Sequence, residues 1–415
     1  VNLSRRGLIG AAGVGVALLQ AGAAVAAEDA DLKPITGDAK PISPEERLAR
    51  LEKVRRLMVE RGIGALLVEP GSSLDYFTGV LWHRSERTTA AVIPGRGEVV
   101  IVTPAFEAPS VRETLAVPAD VRVWDEPESP FVRIAQALAD RGASGLPVAV
   151  EGTTRFFIVD GVRKAAGALN AVSGDPIVRA CRLIKSPAEL ALMQTANDVT
   201  IAALRHVHGR VAAGMTAKDI AAIMDKATLA LGGDTVEFSL VLLNEASAYP
   251  HGSRQPQAVR DGGVILMDCG CTVHGYQSDI SRSWVHGEPS ARERKVWNTV
   301  KRGQEIALET ARIGAPVGTI DDAVRAYYER EGWGPGYRLP GLSHRTGHGI
   351  GLDGHEAAYL VHGDPTPLQA GMCFSDEPGI YIPGEFGIRL EDCWHMTQTG
   401  PKLFTGLAKS IDDPI

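Results

Sequence analysis

The stretch HRTGHGIGLDGHE, residues 344–356, holds three of the chain's eleven histidines, with four glycines between the first and the last. His344 and His348 stand four apart, the spacing that places two imidazoles on one helix face in zinc proteases reading HExxH. Gly347, Gly349, Gly351 and Gly354 oppose a helix, since each costs about 1 kcal/mol relative to alanine. Glycine at alternate positions predicts extended backbone lying close to a ligand or to another segment. The three histidines therefore need metal partners from elsewhere, and which of them binds stays open on this stretch alone.

Carboxylates on both sides of the stretch supply those partners. GGVILMDCG, residues 262–270, is a buried strand by composition, yet it contains Asp268. A buried carboxylate must be protonated, paired or bound to a cation. After a turn near His274-Gly275, GYQSDISRSW brings Asp279, so the two segments are expected to form a hairpin with one acid on each strand. A second hairpin is expected after the histidines: CFSDEPGIYIP supplies Glu377, Pro383-Gly384 turns the chain, and FGIRLEDCW supplies Glu391. Four carboxylates with one imidazole suit two divalent ions, whose charge the acids neutralise. Oxygen-rich ligation favours Mn2+, with Co2+, Fe2+ or Zn2+ as substitutes, over a thiolate zinc site.

Upstream, Ser43-Pro44-Glu45-Glu46 and Ser186-Pro187-Ala188-Glu189 each combine an N-cap, a proline at the first helical position and a capping-box glutamate. They open two helices, and strand-like runs at 64–69, 88–94, 98–104 and 147–152 lie between them. The expected organisation is an α/β domain over 44–176 and an α+β domain over 177–415. Within the second, Gly214-Met215-Thr216 with Asp219 and Gly318-Thr319 with Asp322 begin two helices in a weak repeat, predicting two related halves.

A net charge of -7 without a basic block beyond the first residues argues against a nucleic-acid partner. Five cysteines, with Cys269, Cys271, Cys373 and Cys393 near the ligand strands, lack CxxC spacing and predict no disulfide framework. Ser4-Arg5-Arg6, an uncharged Leu8–Ala27 run and a small-residue end at Ala24–Ala27 look like a twin-arginine export signal over 1–27. A membrane anchor is the alternative. The export reading predicts a periplasmic or secreted protein with no stable membrane insertion after cleavage. Residues 28–43, polar with two prolines, are expected to be a tether.

Tyr249-Pro250-His251-Gly252, MDCG, SDISR, HRTGHGIGLDGHE, DEPGIY and RLED together resemble the pita-bread metallopeptidases, in their aminopeptidase P and prolidase branch, over nearly the whole mature chain. The resemblance implies a creatinase-type N-terminal domain ahead of a pita-bread catalytic domain. It also implies Asp268, Asp279, His348, Glu377 and Glu391 as ligands of two divalent ions, with Asp279 and Glu391 bridging. His355 and His251 resemble histidines that contact substrate and stabilise the transition state, Glu377 serves as proton acceptor, and Arg389 is expected to orient Glu391 or the bridging solvent. For His344 the expectation is a structural or supporting role. The remaining seven histidines are expected at the surface or in packing.

The implied activity is hydrolysis of the Xaa-Pro bond in short proline-containing peptides by a homodimer. A sulfonium lyase of dimethylsulfoniopropionate type and a creatinase-like amidinohydrolase share the fold and are the alternatives. A dipeptidase also needs a cation for the free carboxylate. Arg84 or Arg87 in WHRSER, reaching in from the N-terminal domain of the same or a neighbouring subunit, is the candidate, against a surface salt bridge for both, and the balance falls slightly towards aminopeptidase.

Overall fold

The computed structural model describes residues 32–415. The export signal expected over 1–27 lies outside the described residues. Among them, no helix is long and apolar enough to cross a membrane.

The N-terminal domain is one six-stranded sheet flanked by helices. Its strands are β1 (Ala65–Val68), β2 (Ala90–Pro94), β3 (Val99–Pro104), β4 (Ala119–Trp124), β5 (Val148–Val150) and β6 (Ala171–Ser173). Their spatial order is β4-β3-β2-β1-β5-β6, with β2 antiparallel to both its neighbours and the outer pairs parallel. The first three strands are buried along their whole length, which is why they read as continuous apolar runs rather than alternating ones.

Both proline-headed helices form, but their caps differ. Ser186 and Glu189 make the full reciprocal capping box at the start of helix Pro187–His208. Ser43 caps helix Pro44–Glu60 alone, because Glu46 turns away to Arg50 (2.9 Å) and to the Ser186 hydroxyl (2.7 Å). That glutamate therefore joins the starts of the two helices. Of the expected tether, residues 32–43 are mostly exposed but pinned at two points: the Ile35 N–H donates to the Leu231 carbonyl and the Ile42 side chain is buried.

The catalytic domain repeats one plan twice. Helices Pro187–His208 and Ala217–Ala230 precede β7 (Thr235–Leu243), β8 (Gly263–Val273), β9 (Tyr276–Gln277) and β10 (Ile280–His286). Helices Ala291–Thr310 and Gly318–Arg330 precede β11 (Gly347–Gly349), β12 (Glu356–Leu360), β13 (Cys373–Asp376), β14 (Gly379–Ile382), β15 (Phe386–Arg389), β16 (Asp392–Thr397) and β17 (Gly400–Leu403). The sheets run β10-β8-β7 and β12-β11-β13-β16-β17, with β14-β15 a separate pair.

The helix starts do not repeat as closely as the sequence suggests. Thr216 and Asp219 form a capping box, whereas Thr319 donates to the Pro316 carbonyl and caps nothing. Asp321 rather than Asp322 holds the structure there, accepting from the Thr346 backbone and hydroxyl, from the His362 backbone and from Arg325. It ties the histidine strand to the helix beneath it.

Candidate metal centre and active site

Of the glycine-rich stretch, Gly347–Gly349 is extended as expected, whereas residues 351–355 pass through a series of bends. A Cβ on Gly349 would sit 2.7 Å from the carbonyl oxygens of Glu356 and Ala357. Only glycine lets β12 approach β11 this closely, and that approach sets His348 in the sheet beside Tyr359, its register partner.

The two expected hairpins supply the acids, but Asp279 falls in the gap between β9 and β10 rather than on a strand. Asp268 lies on β8 opposite Ser281 of β10, and Asp279 lies two residues before Ser281. In the second hairpin the ladder breaks. Asp376 pairs with Asp392 in one sheet and Gly379 with Arg389 in another. Glu377 and Glu391 occupy the two breaks, where the backbone passes from one sheet to the other and a side chain can turn into the space between them.

The result is a cavity of about 520 Å3 lined by Asp268, Asp279, His348, Glu377 and Glu391, with His251, His344, His355 and Arg389 on its wall. Ligand-type atoms of Asp268, Asp279 and Glu391 fall within 4.8 Å of one another, and so do those of His348, Glu377 and Glu391. His348 Nε2 lies 3.6 Å from Asp279 Oδ2 and 3.4 Å from Glu377 Oε1. Its Nδ1 is 3.0 Å from the Gly349 carbonyl, which fixes the proton on Nδ1 and leaves the Nε2 lone pair facing the acids. Burial, with His355 beside it, pushes His348 down to about 3, so the imidazole is neutral and able to ligate.

The acids are under the opposite pressure. Burial first, and then the neighbouring carboxylates, hold Asp279 and Glu391 well above the usual carboxylate range. Burial pushes Glu377 up to about 7 against the pull of Arg389. Asp268 keeps one buried oxygen, Oδ1, without a hydrogen-bond partner. Buried carboxylates in this number, one with an orphaned oxygen and only Arg389 bonded to them as a fixed cation, fit a site built for added positive charge. The donor set of four carboxylates and a neutral imidazole fits divalent ions of the manganese type.

Arg389 departs from the expectation. Its guanidinium donates to Asp268 Oδ2 at 2.6 Å, not to Glu391, and also to Ser281 Oγ and the Tyr381 hydroxyl. Ser281 Oγ in turn donates to Glu391 Oε2 at 2.7 Å. Arg389 thus orients Asp268 directly and Glu391 through Ser281, for which the sequence analysis predicts no role. SDISR does offer a signal for it, since Ser281 and Asp279 share strand parity. His344 has the supporting role expected: Nε2 pairs with the Tyr381 hydroxyl and Nδ1 with the Arg345 carbonyl, each at 2.8 Å.

His355 stacks close to His348, ring centroids 3.8 Å apart. The loop that carries it is clamped by Glu356, whose Oε1 accepts from the Leu352 and Asp353 backbones and from Arg182, and whose Oε2 accepts from Lys185. Arg182 ends the helix Asp175–Arg182, which crosses the boundary expected at 176/177, so the junction between the two domains braces the active-site loop. His251 sits on an exposed turn at the cavity mouth. None of the other histidines lines the cavity; His208, His395 and His83 pack on aromatic rings, and His362 pairs with Asp322.

Neither arginine of WHRSER lines the cavity. Arg84 donates to the Pro70 carbonyl and lies near Glu69, while Arg87 pairs with Glu86 and Glu126. The surface salt bridge is what the structure contains. The cysteines are all free and buried.

With this geometry in view, comparison with known proteins gives a family. Residues 191–398 match the model of metallopeptidase family M24, and residues 50–184 match the creatinase/prolidase N-terminal domain. An uncharacterized peptidase of Schizosaccharomyces pombe is 34% identical across 92% of this chain and 86% of its own. The Xaa-Pro dipeptidase of Lactobacillus helveticus is 28% identical, covering 87% of this chain and 98% of its own. The crystal structure of dipeptidase PepE from Mycobacterium ulcerans superposes with a TM-score of 0.79 at 30% identity, covering 88% and 97%. The chain belongs to metallopeptidase family M24. It is a two-domain hydrolase with a creatinase-like N-terminal domain and a pita-bread catalytic domain.

Proposed function

We propose that the protein hydrolyses the Xaa-Pro bond of short peptides, using two divalent ions held by Asp268, Asp279, His348, Glu377 and Glu391. One observation carries the reading: four carboxylates and a neutral imidazole converge on one buried cavity in a chain whose relatives include a protein named Xaa-Pro dipeptidase.

Divalent ions, when bound, supply the positive charge that lets the acids ionise together and that lowers the pKa of the attacking water. The chain's own groups do the rest. Glu377 takes the proton the water releases and hands it to the proline nitrogen as that nitrogen leaves. His355 and His251, on the cavity wall, donate to the oxygen that becomes an anion in the tetrahedral state. Arg389 and Ser281 hold Asp268 and Glu391 in place through the cycle. Proline in the scissile bond has no N–H and a fixed φ, so recognition cannot rely on a backbone donor at that residue and must use its ring and the group beyond it.

The test compares the metal-loaded protein on an Xaa-Pro dipeptide, an Xaa-Pro-Yaa tripeptide and an Xaa-Ala control. Cleavage of proline substrates but not the control is the expected result; inactivity towards both proline peptides would defeat the substrate assignment. Export belongs to the same proposal, on the strength of the leader sequence. Replacing Arg5 and Arg6 together by lysine should leave an uncleaved precursor in the cytoplasm, and normal export of that variant would refute the twin-arginine route.

A further inference from the structure

A peptidase acting on dipeptides must hold a free carboxylate close to the scissile bond, and burying that anion requires a cation with unused donors. Two guanidinium groups line the active cavity, Arg345 and Arg389. Arg389 is committed: its nitrogens already serve Asp268, Ser281, Tyr381 and the Pro250 carbonyl. Arg345 is different. Its guanidinium makes no hydrogen bond or ion pair among the described residues, and it is held by stacking on Tyr359, 4.3 Å from the ring centroid.

The placement of that stack gives it direction. Tyr359 is the cross-strand partner of His348 on β12, so its ring stands on the sheet next to a metal-ligand position. His355, immediately before β12, borders both the main cavity and a side cavity of about 260 Å3 that Tyr359 also lines. Arg345 therefore sits over Tyr359 on the His355 side of the cavity, and its positive charge acts on His348, His355 and Glu377. An aromatic ring beneath a guanidinium fixes its plane while leaving its edge N–H groups free, and those groups match a carboxylate bidentately.

We propose that Arg345, seated on Tyr359, binds the free C-terminal carboxylate of an Xaa-Pro dipeptide and so makes this site a dipeptidase rather than an aminopeptidase. The inference rests on the Xaa-Pro activity proposed for the site. Arg345 is then a specificity-determining residue: it rewards the substrate that ends at proline, and a substrate with further chain presents no charge at that point. Within one chain it supplies the cation that neither arginine of WHRSER brings to the cavity.

The experiment measures kcat/KM for an Xaa-Pro dipeptide and for the same dipeptide as its C-terminal amide, in wild type, Arg345→Met, Arg345→Lys and Tyr359→Leu, each with its metal content determined. The wild type should prefer the free acid. Arg345→Met should lower the acid-to-amide ratio by about 10- to 100-fold, the loss expected when a charged hydrogen-bonded contact is removed, and mainly through KM. Arg345→Lys should restore part of the ratio, and Tyr359→Leu should shift it in the same direction as Arg345→Met by a smaller factor, which keeps the idea testable should one variant fold poorly. An equal loss on acid and amide would overturn the assignment, as would a change confined to preference for the first residue, such as Glu-Pro against Lys-Pro. A wild type that cleaves neither acid, amide nor tripeptide sinks the Xaa-Pro reading itself, a result visible before any variant is made.

Discussion

Asp279→Ala should reduce kcat/KM by at least about a thousandfold, the several kcal/mol that metal-assisted charge stabilisation contributes, while His344→Ala should cost far less. In the proposed two-ion site Asp279 would serve both ions, since it lies with Asp268 and Glu391 in one group and faces His348 across 3.6 Å. His344 lines the cavity, but its Nδ1 stands 3.8 Å from Glu377 and its Nε2 is taken by the Tyr381 hydroxyl. Chelation should abolish activity in the wild type, and manganese or cobalt should restore it. Full activity in a metal-free preparation would refute the metal mechanism. The metal-free protein should also show a pH signature. Glu377 is raised from 4.5 to about 7 by burial, so the folded state retains a proton that the unfolded chain releases. Its contribution is fully present below pH 4.5 and is lost as the pH rises to about 7. His344 and His348, held down to about 3, gain stability over the lower part of the same window, so the contribution of Glu377 is read against Glu377→Gln. The melting temperature of the chelated wild type should fall relative to that variant between pH 4.5 and about 7, and added metal should flatten the difference. A chelated wild type that gains stability relative to Glu377→Gln over the same range would contradict the assignment of Glu377 as a buried acid.

What the sequence discloses and what it withholds divide along physical lines. β1, β2, β3 and β5 are legible because burial demands apolar runs, whereas β4 and β6 are half-exposed or exposed and offer no such run; β8 is legible because an acid inside such a run needs a reason. Gly347 and Gly349 are legible as extended backbone because a helix would be costly there and a close strand approach needs them, whereas the bends that follow at 351–355 are not legible. The break in the second hairpin is not legible. DEPGIYIP and FGIRLED read as two continuous strands, and only the three-dimensional packing reveals that the chain changes sheets at Glu377 and Glu391. Arg345 is hidden for another reason. Its value comes from Tyr359, on the neighbouring strand, and from the fact that Arg389 has spent its donors. Neither is a pattern along the chain, so an arginine inside the most conspicuous motif of the sequence gives no signal, while the two arginines of WHRSER stand out and prove to be surface residues. Ser281 and Glu46 are similar cases, in which short polar side chains choose partners over 100 residues away.

A second large effect is expected just behind the metal strands. Asp392→Ala should destabilise the catalytic domain by about 3–5 kcal/mol, the cost of leaving a buried charge without its partner. Asp392 and Arg282 are both fully buried, and Arg282 donates to Asp392 Oδ1 at 2.6 Å. Gln304 and Thr405 complete the carboxylate's shell. The same guanidinium donates to the Glu391 carbonyl at 2.7 Å, so the pair fixes the backbone at the point where the second hairpin changes sheets and Glu391 turns into the cavity. Removing the carboxylate strands Arg282 in the interior and loosens the ligand beside it. Thermal unfolding should then begin on the order of 10 °C lower, and metal affinity should weaken by roughly 10- to 100-fold, as when other supporting contacts of metal ligands are lost. The double variant Arg282→Met with Asp392→Leu separates the two consequences. With no uncompensated charge left, it should recover much of the stability, because well-packed apolar residues can replace a buried ion pair at little net cost, but it should not recover the metal affinity, since nothing then holds the Glu391 carbonyl. An Asp392→Ala protein as stable as wild type would show that water or a shifted side chain already compensates Arg282. A double variant that regains full metal affinity would show that the ion pair stabilises the domain without positioning the ligand.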